Sequence, residues 1–148
     1  MLELGDQCIL LEMESASKAE ALQELAAAVH AACAGVNQHT LVQVLQEREQ
    51  VGSTGVGNGV AIPHAKVPGL EEMILCFGRS TRGISFDAVD NHPVHLFVQI
   101  LSPMGMANKY LQTLARISRI LKEEQNRRLL MQATSKKEIL ALFNSAPD

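Results

Sequence analysis

His64 follows Pro63 at the end of the segment GSTGVGNGVAIPHAK, and a histidine in that setting has chemistry few side chains share. An imidazole nitrogen is nucleophilic and largely unprotonated near neutrality, so it can accept and return a phosphoryl group without a separate base. Such an exchange needs positioning and a nearby cation to offset charge on the equatorial oxygens. Arg48 is the candidate cation. Ser53, Thr54 and Asn58 add polar groups able to support a phosphoryl site, and the small residues Gly59, Ala61 and Ala65 leave room for a donor to approach. Gly52, Gly55, Gly57 and Gly59 crowd the preceding stretch, which reads as a tight loop exposing amide groups. Within it, Gly55 and Gly57 are the positions expected to need positive φ or close backbone approach. The loop is not a P-loop, since no GK[ST] follows the glycines. Nor is it a dinucleotide fingerprint, since it leads to a proline instead of a helix. Taken alone, a lone histidine beside a loop also fits a satisfied structural residue.

Stepping outward from His64, the elements that must hold it alternate in type. An apolar run at 7–13 suits a strand. Ser17 and Glu20 give a capping-box spacing ahead of the helix KAEALQELAAAVHAAC, and Gly35 supplies a stop. A second helix is expected from near Thr40 to just before Gly52. After the loop, MILCFGRS, GISF and PVHLFVQIL read as three strands, the last nearly continuous in apolar residues and so covered on both faces. From about Asn108 the chain reads as helical: YLQTLARISRILKE, then a segment around NRRLLMQA, then KKEILALF behind a second capping box at Ser135 and Glu138. The expectation is an α/β layered domain spanning 1–148, a mixed central sheet with helices on both faces.

Composition narrows the function classes. The chain has 13 basic and 16 acidic residues, a formal net charge of -3, and 3% aromatics with no tryptophan, so neither a basic field nor stacking platforms suit it to nucleic acid. No apolar run approaches the ~20 residues that span a bilayer, and the start MLELGDQC lacks a basic n-region, which predicts a cytoplasmic protein. Cys8, Cys33 and Cys76 show no CxxC spacing and read as reduced, buried thiols. His92 and His95 form no evident ligand pattern, and neither a metal nor a cofactor is expected. His30 and His39 read as surface residues, and Asp87 and Asp90 as turn-ordering ones.

The run LQEREQVGSTGVGNGVAIPHAK resembles the signature of the fructose/mannitol-type enzyme IIA domains of the bacterial phosphoenolpyruvate:sugar phosphotransferase system, including their nitrogen-related regulatory branch. Similarity continues more loosely through GISFDAVDNHPV and VHLFVQILSP to LQTLARISRIL, covering nearly the whole chain. The resemblance implies that His64 is phosphorylated on Nε2, that Arg48 belongs to the active site, and that the donor is an HPr-like phosphocarrier. It implies a IIB protein or a regulatory target as the next partner. Many members of that family carry a second histidine before the LQ-LA helix, where this sequence has Tyr110, whose hydroxyl can donate but does not change charge near neutrality. Two functions follow: a phosphoryl-carrying transferase, or a regulatory module of the same fold that acts by docking without transfer.

Overall fold

The structure is a computed structural model and describes residues 4–33 and 35–145, with the backbone alone at Asp6; the outermost ends of the 1–148 span lie outside the described residues. A mixed six-stranded sheet carries helices on both faces, as expected. Its strands are β1 (Ile9–Leu10), β2 (Gly55–Gly57), β3 (Val60–Ala61), β4 (His64–Lys66), β5 (Ile74–Ile84) and β6 (Val94–Ser102). The lateral order is β1-β5-β6-β3-β2, and β4 also pairs with β6, beyond the end of β3. β5 and β6 are antiparallel, whereas β1 on β5 and both β3 and β4 on β6 are parallel.

β6 shows why the sheet needs two helical layers. Leu96, Val98 and Ile100 join one buried cluster, while Phe97 and Leu101 join the other. Burying such a side chain fully is worth about 1.5–3 kcal/mol, so neither face can be left to water. One face is covered by α1 (Lys18–Ala32) and α2 (Gln38–Val51), the other by α3 (Ala107–Lys122), α4 (Glu124–Gln132) and α5 (Lys136–Ser145).

Both expected helix starts carry their caps. Ser17 Oγ accepts from Glu20 N at 3.3 Å and Ser135 Oγ from Glu138 N at 3.2 Å. The reciprocal bonds reach one residue further back than the ideal box, to Ala16 N and Thr134 N, both at 2.8 Å. α2 begins two residues ahead of Thr40, because Asn37 Oδ1 accepts from Thr40 N at 3.0 Å and caps the helix there.

Three expectations at the strands are corrected. The run at 7–13 is a strand only at Ile9–Leu10, because Cys8 N bonds Gly5 O in a single 3-10 turn before it and Met13 N has left to bond Arg79 O after it. MILCFGRS runs on into the first half of GISF as one strand, β5: a register shift between Arg79 and Ile84 absorbs Gly83, at φ +89°, without breaking the pairing to β6. The glycine-rich stretch is largely a hairpin, β2 and β3 joined by Asn58 and Gly59, both at positive φ (59° and 75°) as a two-residue hairpin turn requires. Cys8 and Cys76 are buried and Cys33 half-buried, all three as free thiols.

Arg79 is 9% exposed and ties the layers together. Its Nε donates to Leu11 O at 2.9 Å, and its Nη1 donates to Leu130 O at 2.9 Å and Ala133 O at 2.6 Å, where α4 ends. No helix of the described residues is long and apolar enough to cross a membrane.

Candidate active site

Pro63 splits what would otherwise be one strand running along β6. Val60 and Ala61 pair with Leu96 and Phe97, and His64 to Lys66 pair with Ile100 to Ser102. Between them Pro63 offers no N–H, and its carbonyl accepts from Ile100 N at 2.9 Å. His64 therefore opens β4, past the reach of β2. α2 packs from one side, and α3 brings Tyr110 from the other.

The ring of His64 is held in one tautomer. Nδ1 lies 2.7 Å from Ile62 O, which can only accept, and Nε2 lies 3.3 Å from Arg48 Nε, which can only donate. Nδ1 therefore carries the proton, and the lone pair of Nε2 faces the guanidinium. Partial burial holds the His64 pKa below its ordinary value; the bond to Ile62 O opposes this, and the Arg48 cation reinforces it. The imidazole is neutral and nucleophilic at neutral pH.

Arg48 is aimed by its own helix end: Nη1 donates to Gly52 O at 2.9 Å, one turn on. Its neighbour Glu49, with a side chain only 5% exposed, accepts from Thr54 N at 3.0 Å and from Thr54 Oγ1, and pairs with Lys18 Nζ at 2.9 Å. Thr54, 2% exposed, returns its carbonyl to Ile62 N at 3.0 Å. The chain of contacts from α2 through Glu49 and Thr54 thus fixes Ile62, the residue whose carbonyl orients His64. Glu49 and Lys18 have no assigned role in the sequence reading; an acidic residue directly after the candidate cation was the available signal.

Tyr110 sits in the first turn of α3, 8% exposed, with its ring centroid 5.9 Å from that of His64 and tilted 58°. Burial raises its pKa, so the phenol stays protonated and able to donate. Ser53 is turned inward: Oγ donates to Phe86 O at 3.2 Å and accepts from Gly55 N at 3.0 Å, which makes it a local brace. Gly55 permits close approach, since a Cβ there would lie 2.7 Å from Ala88 Cβ and 2.8 Å from Ala88 Cα. Gly57 has φ +98°. Asn58 and Gly57 do not reach His64. They lie at the hairpin tip, and the partners of Val60 and His64 on β6, Leu96 and Ile100, are four residues apart, about 13 Å of strand. His95 is a β6 residue with Nδ1 2.9 Å from Ser80 O, and Asp90 accepts from His92 N at 3.0 Å, so both are structural. Among the described residues, no group of three or more His, Cys, Asp or Glu is placed to hold a metal ion.

A neutral histidine with one bare nitrogen against an arginine, at the end of a parallel edge strand, defines a class of site suited to nucleophilic group transfer. Residues 4–146 match the family described as phosphoenolpyruvate-dependent sugar phosphotransferase system, EIIA 2, and the chain belongs to that family. It is 42% identical over 121 residues to a nitrogen regulatory protein of Bradyrhizobium diazoefficiens, covering 82% of this chain and 78% of that one. It is 32% identical over 141 residues to a fructose-specific EIIABC component of Bacillus subtilis, covering 95% of this chain and only 22% of that longer protein. The crystal structure of nitrogen regulatory protein IIA-Ntr from Neisseria meningitidis superposes with a TM-score of 0.89 at 30% identity, covering 95% of each chain. Family and relatives together support a phosphocarrier or regulatory role.

Proposed function

We propose that the chain accepts a phosphoryl group on His64 Nε2 from an HPr-like histidine phosphocarrier and then passes it to a IIB protein or holds it as a regulatory signal. The observation that carries this reading is the fixed tautomer, with Nδ1–H on Ile62 O and a bare Nε2 facing Arg48. In the transfer, the Nε2 lone pair attacks the donor's phosphorus, the donor P–N bond breaks, and its electron pair returns to the donor imidazole. No proton has to leave His64, because Nε2 carries none. The positive charge gained by the ring is shared with the Ile62 carbonyl, while Arg48 moves from Nε2 to the phosphoryl oxygens. On this reading the chain works in the cytoplasm as a single domain.

Between the two branches, we favour the nitrogen-related regulatory one, on the 42% identity and the 0.89 superposition with proteins named for it.

Incubation with phosphoenolpyruvate, enzyme I and the phosphocarrier, followed by intact mass measurement, tests the proposal. One acid-labile phosphoryl group should appear on the wild type and none on His64→Gln. No mass gain on the wild type, or equal labelling of the variant, would overturn it.

A further inference from the structure

The three cysteines come from separated parts of the chain and converge beside one groove, away from His64. Cys8 immediately precedes Ile9, whose ladder partner is Phe77, and Cys76 immediately precedes Phe77. Cys8 closes the 3-10 turn that leads into Ile9, and its thiol lies within hydrogen-bonding reach of the Cys76 thiol. Both side chains enter the same buried cluster, so they leave the sheet on the same face. Cys8 and Cys33 line a groove of about 630 Å³ together with Gly5, Val36, Glu71 and Ile74.

A second observation sets this row apart from ordinary packing. The partner of Cys76 on β6 is Gln99, fully buried, whose Oε1 has no hydrogen-bond partner among the described residues. Apolar residues would fill that row at lower cost if packing were its only task.

We propose that Cys8 and Cys76 form a dithiol oxidised by hydroperoxides, with Cys8 the attacking thiolate reached through the groove and Cys76 the thiol that closes the disulfide. The Cys8 sulfur attacks the terminal oxygen of the hydroperoxide, the O–O bond breaks, and the alkoxide or hydroxide leaves as alcohol or water after protonation. Cys8 is then a sulfenic acid. The Cys76 sulfur attacks it, the S–O bond breaks, and water departs with the Cys76 proton. Two thiols and one hydroperoxide thus give one disulfide, one alcohol (or water) and one water.

The division of roles follows from the surroundings. Cys8 lines the groove whereas Cys76 is fully buried, and a hydrogen bond from the Cys76 thiol favours the Cys8 thiolate. Burial and the nearby Cys8 raise the pKa of Cys33, which keeps it protonated and slow. Cys76 stands on β5, with β6 between it and His64 on β4, and Cys8 lies further out beside β1, so the inference stands whether or not His64 is phosphorylated.

The test treats the full chain with hydrogen peroxide, blocks free thiols, and maps disulfides by mass spectrometry without reduction. The expected result is a loss of two hydrogens, with the Cys8 and Cys76 peptides joined and Cys33 blocked. Cys33→Ser should behave as the wild type, and Cys76→Ser should leave Cys8 trapped by dimedone as a sulfenic acid. Three blocked thiols in the natively folded wild type after peroxide, or a linkage that includes Cys33, would overturn the proposal. Both are read on the wild type, so the outcome does not depend on the variants folding.

Discussion

Gly55→Ala tests whether the hairpin beside His64 is as tightly packed as its geometry demands. The new Cβ would sit 2.7 Å from Ala88 Cβ and 2.8 Å from Ala88 Cα, whereas carbon atoms in contact prefer about 3.5–4.0 Å. Ala88 cannot simply retreat, because Val89 N bonds Gly55 O at 3.0 Å and would be drawn off with it. Overpacking of this kind costs about 1–3 kcal/mol. Removing glycine's freedom from the unfolded chain returns about 0.4–1 kcal/mol, leaving a net loss of about 1–2 kcal/mol. For a chain of this size that is a fall in Tm of about 3–8 °C. The control is Gly105→Ala, where a Cβ meets nothing within 4 Å. Thermal or urea unfolding gives stability, and phosphoryl transfer by intact mass gives function. Transfer should slow as well, because β2 leads directly from Thr54, whose carbonyl holds Ile62 N. Stability within about 0.5 kcal/mol of wild type would refute the packing argument, since that is the scatter of neutral surface changes.

Arg48→Ala should slow phosphorylation of His64 roughly 10- to 100-fold, the range for one lost hydrogen bond to a charged group, and should raise the His64 pKa by NMR titration; weaker docking at an unchanged rate would refute it. Thr54→Val should cost about 1–3 kcal/mol by leaving buried Glu49 short of a donor, yet slow transfer less than Arg48→Ala; the reverse order would make Thr54 a catalytic group. Tyr110→Phe should destabilise phospho-His64 by about 1 kcal/mol or more, and Tyr110→His should introduce a pH dependence near neutrality; three indistinguishable profiles would make Tyr110 a packing residue. His64 also links stability to pH. Its folded pKa is lowered, so below the ordinary histidine value of about 6.5 the unfolded chain binds the proton first, and stability falls with pH down through the folded value. Urea midpoints of His64→Gln should show less of that acid loss than the wild type, and parallel curves would contradict the shift.

What could be seen in the sequence was local chemistry. Ser17 with Glu20 and Ser135 with Glu138 announce helix starts because the capping bonds join residues three apart, and the burial of β6 on both faces is written in its nearly continuous apolar run. Arg48 could be named as the cation for His64 from charge alone, and the resemblance supported it, although the two are separated by the whole hairpin. What stayed hidden depends on distant partners. Gly83 looks like a strand break, yet β6 pairs through it. Asn58 looks like a phosphoryl ligand, yet Asn58-Gly59 is a hairpin turn, a dipeptide signal outweighed by the density of glycines around it. Glu49 is ordinary on an exposed helix and becomes structural only once Thr54 and Lys18 fold onto it.

Arg79 carries a consequence for the order in which the molecule can come apart. Its guanidinium gathers the last carbonyls of α4 and a carbonyl just after β1, reaching from the middle of the sheet. If α4 lifted off alone, it would strand a buried cation and bare those carbonyls at once. The cheaper route is for α4, the strand edge and β5 to open together. Amide hydrogens near the end of α4 should therefore exchange at rates set by global unfolding, although the helix is only nine residues long.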